Sequence, residues 1–201
     1  MTGEAPGWAF YWLRHTDGEG GWRRVNDRPP GQDLAALRRG IGRPAGSVPQ
    51  MWRYYTKLNE DGYLTAELNA EHVALTLFAV HQQSQPNPVH RAGVGFGAAA
   101  RALRASGKFS EEAVDRRFAA AATATSVREV AAHLRGLVTQ LRGVHSLDYT
   151  ELFRDLRGWQ SPESRARIRR RWGSQYFVIT PAASVPAEST DSAVSALAST
   201  T

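Results

Sequence analysis

Apolar residues recur at spacings of three and four along most of the chain, which is the period of an amphipathic helix. The pattern is clearest after Ser126-x-x-Glu129, which forms a capping box, and it continues to Leu141. No stretch alternates apolar and polar residues as a half-buried strand does, and no repeat of about 20–50 residues occurs. The sequence therefore predicts an all-α fold, a compact bundle of about eight or nine helices arranged in one lobe or two.

Turn and cap residues bound the predicted elements. An aromatic segment over residues 8–13 is expected to be helical, and a loop rich in Gly, Asp and Pro follows over residues 17–31. Asn69 is predicted to cap the helix that continues to Gln83. The other predicted helices cover residues 32–41, a short stretch opening at Pro49, and residues 97–105, 111–118, 127–141, 149–157 and 162–177.

The last part of the chain has a different composition. Residues 181–201 consist mainly of Ala, Ser and Thr, with two prolines and no aromatic residue. Such a segment buries too little apolar surface to fold. The sequence therefore predicts one domain over residues 1–180 and a disordered tail over residues 181–201.

Charge gives this bundle its first functional signal. The formal net charge is +6 with a pI near 10.1, and 23 of the 25 basic residues are arginine. A genome rich in G and C explains arginine in place of lysine, but it does not explain the net charge. The tail contains two acids and no base, so the basic excess belongs to the domain. A basic domain of this kind is typical of a nucleic-acid binder, although an anionic membrane surface or an acidic protein also fits.

Several function classes have little support. The chain has no cysteine, no apolar run of about 18 residues and no basic segment leading into an apolar one near its start. A cytoplasmic protein without a membrane span or signal peptide is expected. The histidines lack metal-ligand spacing, and no carboxylate cluster suggests a nuclease centre. We therefore expect no catalytic activity, no bound metal and no cofactor.

The glycine-rich segment Gly93-Val-Gly95-Phe-Gly97 superficially resembles a dinucleotide-binding motif. That motif must follow a buried strand, whereas this one follows Pro-Asn-Pro-Val-His-Arg. The interpretation preferred here is a hinge or a close helix entry. The tryptophans at 8, 12, 52, 159 and 172 fall at core spacings, and Trp22 is the one expected to be exposed and available for stacking.

Five arginines lie within seven residues near the end of the domain. On a helical projection, Ile168, Trp172 and Tyr176 form one apolar stripe. Two of the arginines flank this stripe and three point away from it, so a single strand of nucleic acid cannot contact all five. Phosphate binding and pairing with acids of the bundle are therefore both expected, beside the simpler possibility of a solvated face. The flanking pair is Arg165 and Arg169, and the outward set is Arg167, Arg170 and Arg171.

Two further arginine clusters give weaker signals. Arg38 and Arg39 end a predicted helix just before a glycine loop, with Arg43 close by, and either contact a phosphate or complement the helix dipole. Arg128, Arg135 and Arg142 are spaced by seven on one predicted helix. They form a stripe that either follows a phosphate backbone or is a solvated face.

A set of segments matches one known family in order and spacing. Leu37-Arg-Arg-Gly40, Trp52-Arg-Tyr-Tyr55 and His72-Val-Ala-Leu-Thr-Leu-Phe-Ala79 form its N-terminal part. The most specific part is Leu147-Asp-Tyr-x₂-Leu-x₂-Asp-Leu-x₂-Trp159, followed by the basic helix. The ordered set resembles the CasB family, the small subunit of the type I-E CRISPR Cascade surveillance complex, over about residues 8–178.

This resemblance implies a non-catalytic helical subunit, present as two copies beside a large subunit and repeated backbone subunits. Its implied nucleic-acid partners are the guide RNA and the target DNA, as heteroduplex and as displaced strand, held through the backbone during antiviral defence. A nuclease and a helical DNA-binding regulator remain the alternatives. Residues matching the family's basic surface are Arg38, Arg39, Arg135, Arg165, Arg167, Arg169, Arg170 and Arg171, and helix face and charge add Arg53, Lys57, Arg101 and Arg142.

Overall fold

The computed structural model describes residues 9–25 and 27–178. Within these ranges the secondary structure is eight α-helices, one 3-10 helix and two isolated β-bridges, so the all-α prediction is confirmed. The predictions for Trp8 and for residues 181–201 lie outside the described residues. The α-helices are α1 (Tyr11–His15), α2 (Gly31–Arg38), α3 (Ala66–Gln82), α4 (Phe96–Ala105), α5 (Glu111–Thr123), α6 (Val127–Leu141), α7 (Tyr149–Gly158) and α8 (Pro162–Tyr176), and the 3-10 helix is Pro49–Tyr54.

Helix α3 lies at the centre of the bundle. Every residue from Ala70 to Gln82 is buried, and the helix packs against α2, α6 and α7. A helix that is largely apolar on all sides is stable only when other elements cover it. The buried hydrophobic side chains form one continuous cluster around this helix.

Several predicted boundaries are wrong. Helix α2, predicted to continue to Ile41, ends at Arg38. Helix α3 begins at Ala66 because the hydroxyl of Thr65, not the side chain of Asn69, caps it by accepting the Leu68 amide at 3.1 Å. Helix α5 continues past residue 118 to Thr123 through a run of alanines, which have the highest helix propensity. The helix that opens at Pro49 is a six-residue 3-10 helix. The predicted cap Ser126 is confirmed, and Ser110, Asp148 and Ser161 cap their helices in the same way, since each side chain accepts an amide of the first turn.

Helices α4 and α8 approach each other closely. A Cβ atom at Gly97 would lie 2.3 Å from the backbone oxygen of Trp172, so only glycine permits this separation. The close helix entry predicted for the glycine segment is thereby confirmed. Trp12, Trp159 and Trp172 are fully buried as predicted. The core prediction for Trp52 is wrong, because 53% of this residue is exposed.

Candidate nucleic-acid interface

A groove of about 610 Å³ runs between α3 and α6 and is bounded by the loop that follows α2. Each helix contributes residues spaced by three and four, which places them on one face. The floor is mostly aliphatic. The lining residues are Asn69, His72, Val73, Thr76, Leu77 and Val80 from α3, Val127, Arg128, Ala131, Ala132 and Arg135 from α6, and Ile41, Gly42, Arg43 and Pro44 from the loop.

The charged residues of this groove are all arginines. Arg43, Arg128 and Arg135 line it and are exposed, and no aspartate or glutamate of residues 9–25 and 27–178 is among the lining residues. Within the described residues the three side chains form no ion pair or side-chain hydrogen bond. Arg38 and Arg39 directly precede the lining loop and are likewise unpaired among the described residues. We call Arg43, Arg128 and Arg135 the groove arginines.

A buried contact holds the arginine-bearing loop against α3. The Gly40 carbonyl lies 2.9 Å from Nε2 of His72, and the Tyr55 hydroxyl lies 2.6 Å from Nδ1 of the same ring. A Cβ atom at Gly40 would meet Met51 Sδ at 2.3 Å and His72 Cε1 at 2.7 Å. The absence of a side chain at Gly40 therefore allows the loop to reach the histidine, which fixes the backbone three residues before Arg43.

The hydrogen bonds of His72 define its protonation state. Burial lowers the pKa of His72, so the ring is neutral near pH 7. The neutral ring donates from Nε2 to the Gly40 carbonyl and accepts the Tyr55 hydroxyl at Nδ1. Burial also raises the pKa of Tyr55 to about 12, which keeps this hydroxyl protonated as a donor. The tether is therefore a pair of neutral hydrogen bonds.

A second tether joins α3 to the segment after the 3-10 helix. Glu71 is fully buried, and its carboxylate accepts the backbone amides of Thr56 and Lys57 at 2.8 and 2.9 Å. Burial raises the pKa of Glu71, while hydrogen bonds from Thr56 and Lys57 lower it. These bonds satisfy the buried carboxylate and hold the chain that directly follows the Tyr55 contact.

Two of the five arginines on α8 bind backbone carbonyls of a neighbouring segment. Arg169 donates to the carbonyls of Thr123 and Ala124 at 3.0 and 2.7 Å, and its guanidinium lies 5.7 Å from the ring centroid of Trp159. Arg165 donates to the Thr125 carbonyl. These carbonyls belong to the end of α5 and the residues just after it, where the helix leaves acceptors unsatisfied and its dipole is negative.

A third arginine of α8 pairs with acids of α7. Arg171 donates to Asp155 and lies 3.3 Å from Glu151, and the indole of Trp172 donates to Asp155 at 2.8 Å. Burial raises the pKa of Asp155, and the bonds from Arg171 and Trp172 lower it. The expected pairing with acids of the bundle is therefore found at Arg171, one of the three arginines that lie away from the apolar stripe. Of the five, Arg167 and Arg170 are exposed and have no partner within the described residues.

The other candidate residues are dispersed. Arg53 pairs with Asp33 at 2.8 Å, and the ammonium of Lys57 lies 5.5 Å from the Phe10 ring centroid. Arg142 donates to the Gln83 carbonyl at 2.8 Å, just past the end of α3. Arg101 is half-buried on α4, which contributes no residue to the groove. A role in binding nucleic acid stays a prediction for all of them.

Three groove residues are absent from the candidate set that the sequence supports. In the sequence Arg43 is only a neighbour of Arg38 and Arg39, and Asn69 is a predicted cap. Arg128 belongs to the stripe with Arg135 and Arg142 but is not one of the candidate binding residues. These three residues lie about 26 to 85 positions apart along the chain, so the sequence does not show that they are neighbours. The packing of α3 against α6 brings them together in the groove. The signal available in the sequence is the stripe of Arg128 and Arg135, separated by alanines that leave space beside them. Trp22, expected to be exposed, is half-buried, and its indole donates to the Pro86 carbonyl at 3.3 Å.

Two further structural features bear on the remaining function classes. Over the described residues, no group of three or more histidine, aspartate or glutamate side chains is placed to hold a metal ion. No helix in the same ranges has the length and apolar character that spanning a bilayer requires.

Fold and groove together define a class, a small basic helical protein with an arginine-lined groove. The family model for the CRISPR-associated protein Cse2 matches residues 33–177. This chain belongs to the Cse2 family, which confirms the resemblance found in the sequence. No curated protein sequence matches the chain significantly.

Solved structures agree with this assignment. The crystal structure of CasB from Thermobifida fusca shares 32% identity with a TM-score of 0.60, and the match covers 74% of this chain and 85% of that one. A CRISPR-associated protein of the Cse2 family from Thermus thermophilus shares 28% identity with a TM-score of 0.55 over 72% and 85% of the two chains. A chain of a CRISPR RNA-guided surveillance complex shares 27% identity with a TM-score of 0.53 over 74% and 82%.

Proposed function

We propose that this protein is the non-catalytic small subunit of a type I-E CRISPR Cascade effector complex. In this role it binds the guide RNA–target DNA heteroduplex and the displaced strand without reading their sequence, and it stabilises the R-loop during antiviral defence. Membership in the Cse2 family and the similarity to a chain of a surveillance complex support the assembly. Two copies of the chain, the large subunit and the backbone subunits are its proposed protein partners.

The groove arginines are the observation that carries the nucleic-acid part of the proposal. Arg43, Arg128 and Arg135 converge from a loop and a helix, and in the part of the chain that the structure describes no acid lines the groove to neutralise them. Guanidinium groups bind phosphate oxygens through a planar fork of donors and stay charged at every physiological pH. Phosphate contacts of this kind position a strand and carry no sequence information.

The energetics of strand exchange explain why a few contacts are sufficient. The heteroduplex that forms is about as stable as the DNA duplex that it replaces, so R-loop formation is near balance. A subunit that binds the opened strands more tightly than the closed duplex shifts this balance toward the open state. Base pairing supplies the sequence specificity, and this subunit only prolongs the lifetime of the R-loop.

The test is to assemble the complex with altered subunits. The protein is co-expressed with the other Cascade subunits and a guide RNA, and R-loop lifetime is followed by permanganate reactivity of thymines in the displaced strand. We expect the R43A/R128A/R135A variant to assemble normally and to shorten the lifetime about tenfold, because three phosphate contacts are lost. The control is R116A/R117A/R154A, which removes the same charge from exposed positions outside the groove.

The outcomes separate the two parts of the proposal. Failure of the wild-type protein to co-purify with the complex would contradict the subunit assignment. Normal assembly with equal lifetimes for both triple variants would reject the groove arginines as the binding surface. Cleavage of the DNA by this subunit alone, dependent on a divalent metal, would instead indicate a nuclease.

A further inference from the structure

The groove has an apolar floor that phosphate binding does not require. Val73, Leu77 and Val80 of α3 face Val127 and Ala131 of α6 across it. A surface that binds only phosphates gains nothing from such a floor, since anions contact the rim. The volume of about 610 Å³ lies within the range of roughly 300–1,000 Å³ that is usual for small-molecule pockets.

We infer that this groove receives unpaired nucleobases while its arginines hold the flanking phosphates, so that the surface selects single-stranded over double-stranded nucleic acid. This inference rests on the proposed function and specifies its ligand. In a duplex the flat faces of the bases are covered by stacking and their edges by pairing. In a single strand those faces are free to bind apolar or guanidinium surfaces.

Charge complementarity favours this occupant. Among the described residues the rim carries three guanidinium groups and no carboxylate, which suits a polyanion and opposes a basic peptide. Arg128 and Arg135 are separated by about 10 Å along the axis of α6. That distance exceeds the rise of about 3.4 Å per nucleotide in a stacked strand, so the two arginines contact different phosphates.

The polar groups on the floor suit a nucleic-acid ligand that is bound without sequence specificity. The hydroxyl of Thr76 donates to the Val73 carbonyl, and both ring nitrogens of His72 have hydrogen-bond partners. The side-chain amide of Asn69 has no hydrogen-bond partner within the described residues and is half-exposed. An amide donates and accepts, so it bonds to the edge of any base.

Small residues on α6 keep the groove open. Ala131 and Ala132 occupy the turn between Arg128 and Arg135, and Ala132 is exposed. A larger aliphatic side chain at Ala132 would fill the space above the floor without changing any charge and without adding a ring on which a base could stack. Ala132→Leu therefore separates base insertion from phosphate attraction. Ala119→Leu on α5 is the matched control, since Ala119 is also an exposed helical alanine and lies outside the groove.

The experiment measures the anisotropy of a labelled 20-nucleotide single strand of mixed sequence and of the corresponding duplex, with full-length protein at low salt. We expect the wild-type protein and A119L to bind the single strand about tenfold more tightly, because its base faces gain contact with the apolar floor and the guanidinium groups. A132L should lose this preference and keep its duplex affinity. Circular dichroism checks folding, and the smaller A132V variant gives the same comparison if A132L unfolds.

Other results would overturn the inference in distinguishable ways. Equal affinity of the wild-type protein for both ligands, or a preference that survives in A132L and A132V, rejects base insertion and leaves the proposed function standing. Absence of salt-dependent binding to either ligand rejects both the inference and the proposed function. Loss of co-purification with the other Cascade subunits in A132L, with unchanged affinity for the oligonucleotides, shows instead that the groove binds a protein.

Discussion

The two arginine-rich regions of this protein differ in what their charges already bind. Helix α8 has five arginines within seven residues, yet Arg165, Arg169 and Arg171 bind carbonyls or carboxylates of the same chain. The groove collects its arginines from distant parts of the sequence and leaves them unpaired among the described residues. The density of charge along a sequence therefore does not measure the charge available to a ligand, because folding decides which cations already have partners.

The largest effect is expected from Asp155, the buried carboxylate that α8 contacts. Asp155→Ala removes the acceptor of both Arg171 and the Trp172 indole. The indole is then buried without a partner, and the free energy of unfolding should fall by about 3 kcal/mol. Urea denaturation measures this loss. Glu60→Ala, which removes an exposed acid, serves as the control, and an equal effect of the two substitutions would show that α8 does not depend on this contact.

Replacing the groove arginines should change affinity for nucleic acid and leave stability nearly unchanged. R43A/R128A/R135A removes charges without folded-state partners, so stability should change by less than about 0.5 kcal/mol. Affinity for a single strand should fall about 30-fold at low salt, and the slope of log K against log salt should decrease by about 2, since each lost phosphate contact contributes about 0.7. Anisotropy titrations at several salt concentrations measure both quantities. An unchanged slope would mean that other arginines carry the binding.

Local features such as helix caps follow from the sequence, whereas the residues that packing brings together in one site do not. The cap at Ser126 is set by a residue three positions away, and the structure confirms it. Thr65 is missed because Asn69 four residues later is also a good cap, and local pattern does not choose between them. The groove is a product of tertiary packing. A helical projection of α8 indicates which arginines leave its apolar stripe, but not that Asp155 of α7 lies beside Arg171.

Buried histidines give the groove side a pH dependence. His72 and His81 both lie on α3, whereas α8 contains no histidine. Burial lowers the pKa of His81 to about 4, while an unfolded histidine titrates near about 6.5. Between these values the unfolded chain binds a proton that the folded chain does not, so the free energy of unfolding decreases as the pH falls. At pH ~5 this effect of His81 lowers the free energy of unfolding by about 2 kcal/mol.

Replacing His81 with glutamine isolates this contribution. Glutamine does not titrate, and its amide bonds to the Tyr149 hydroxyl that His81 now contacts at 3.0 Å. The H81Q protein should therefore lose less stability than the wild-type protein between about pH 7 and 5, by about 2 kcal/mol. Urea denaturation at a series of pH values provides the comparison. Parallel curves would show that His81 is already accessible to protons in the folded state.

The smallest changes in stability are expected for two adjacent arginines of α8. Arg169→Ala removes the bonds to the carbonyls of Thr123 and Ala124 and should lower stability by about 1.5 kcal/mol, since a charged donor to a carbonyl is worth somewhat more than a neutral one. Arg170→Ala removes an exposed side chain and should change stability by less than about 0.5 kcal/mol. Single-strand affinity should respond in the opposite order, falling in R170A and staying within twofold in R169A. The two proteins have the same net charge, so thermal denaturation and anisotropy at one salt concentration are sufficient. If R169A lost affinity and kept its stability, the guanidinium would leave the end of α5 to reach phosphate, and the distinction between occupied and available arginines would fail on this helix.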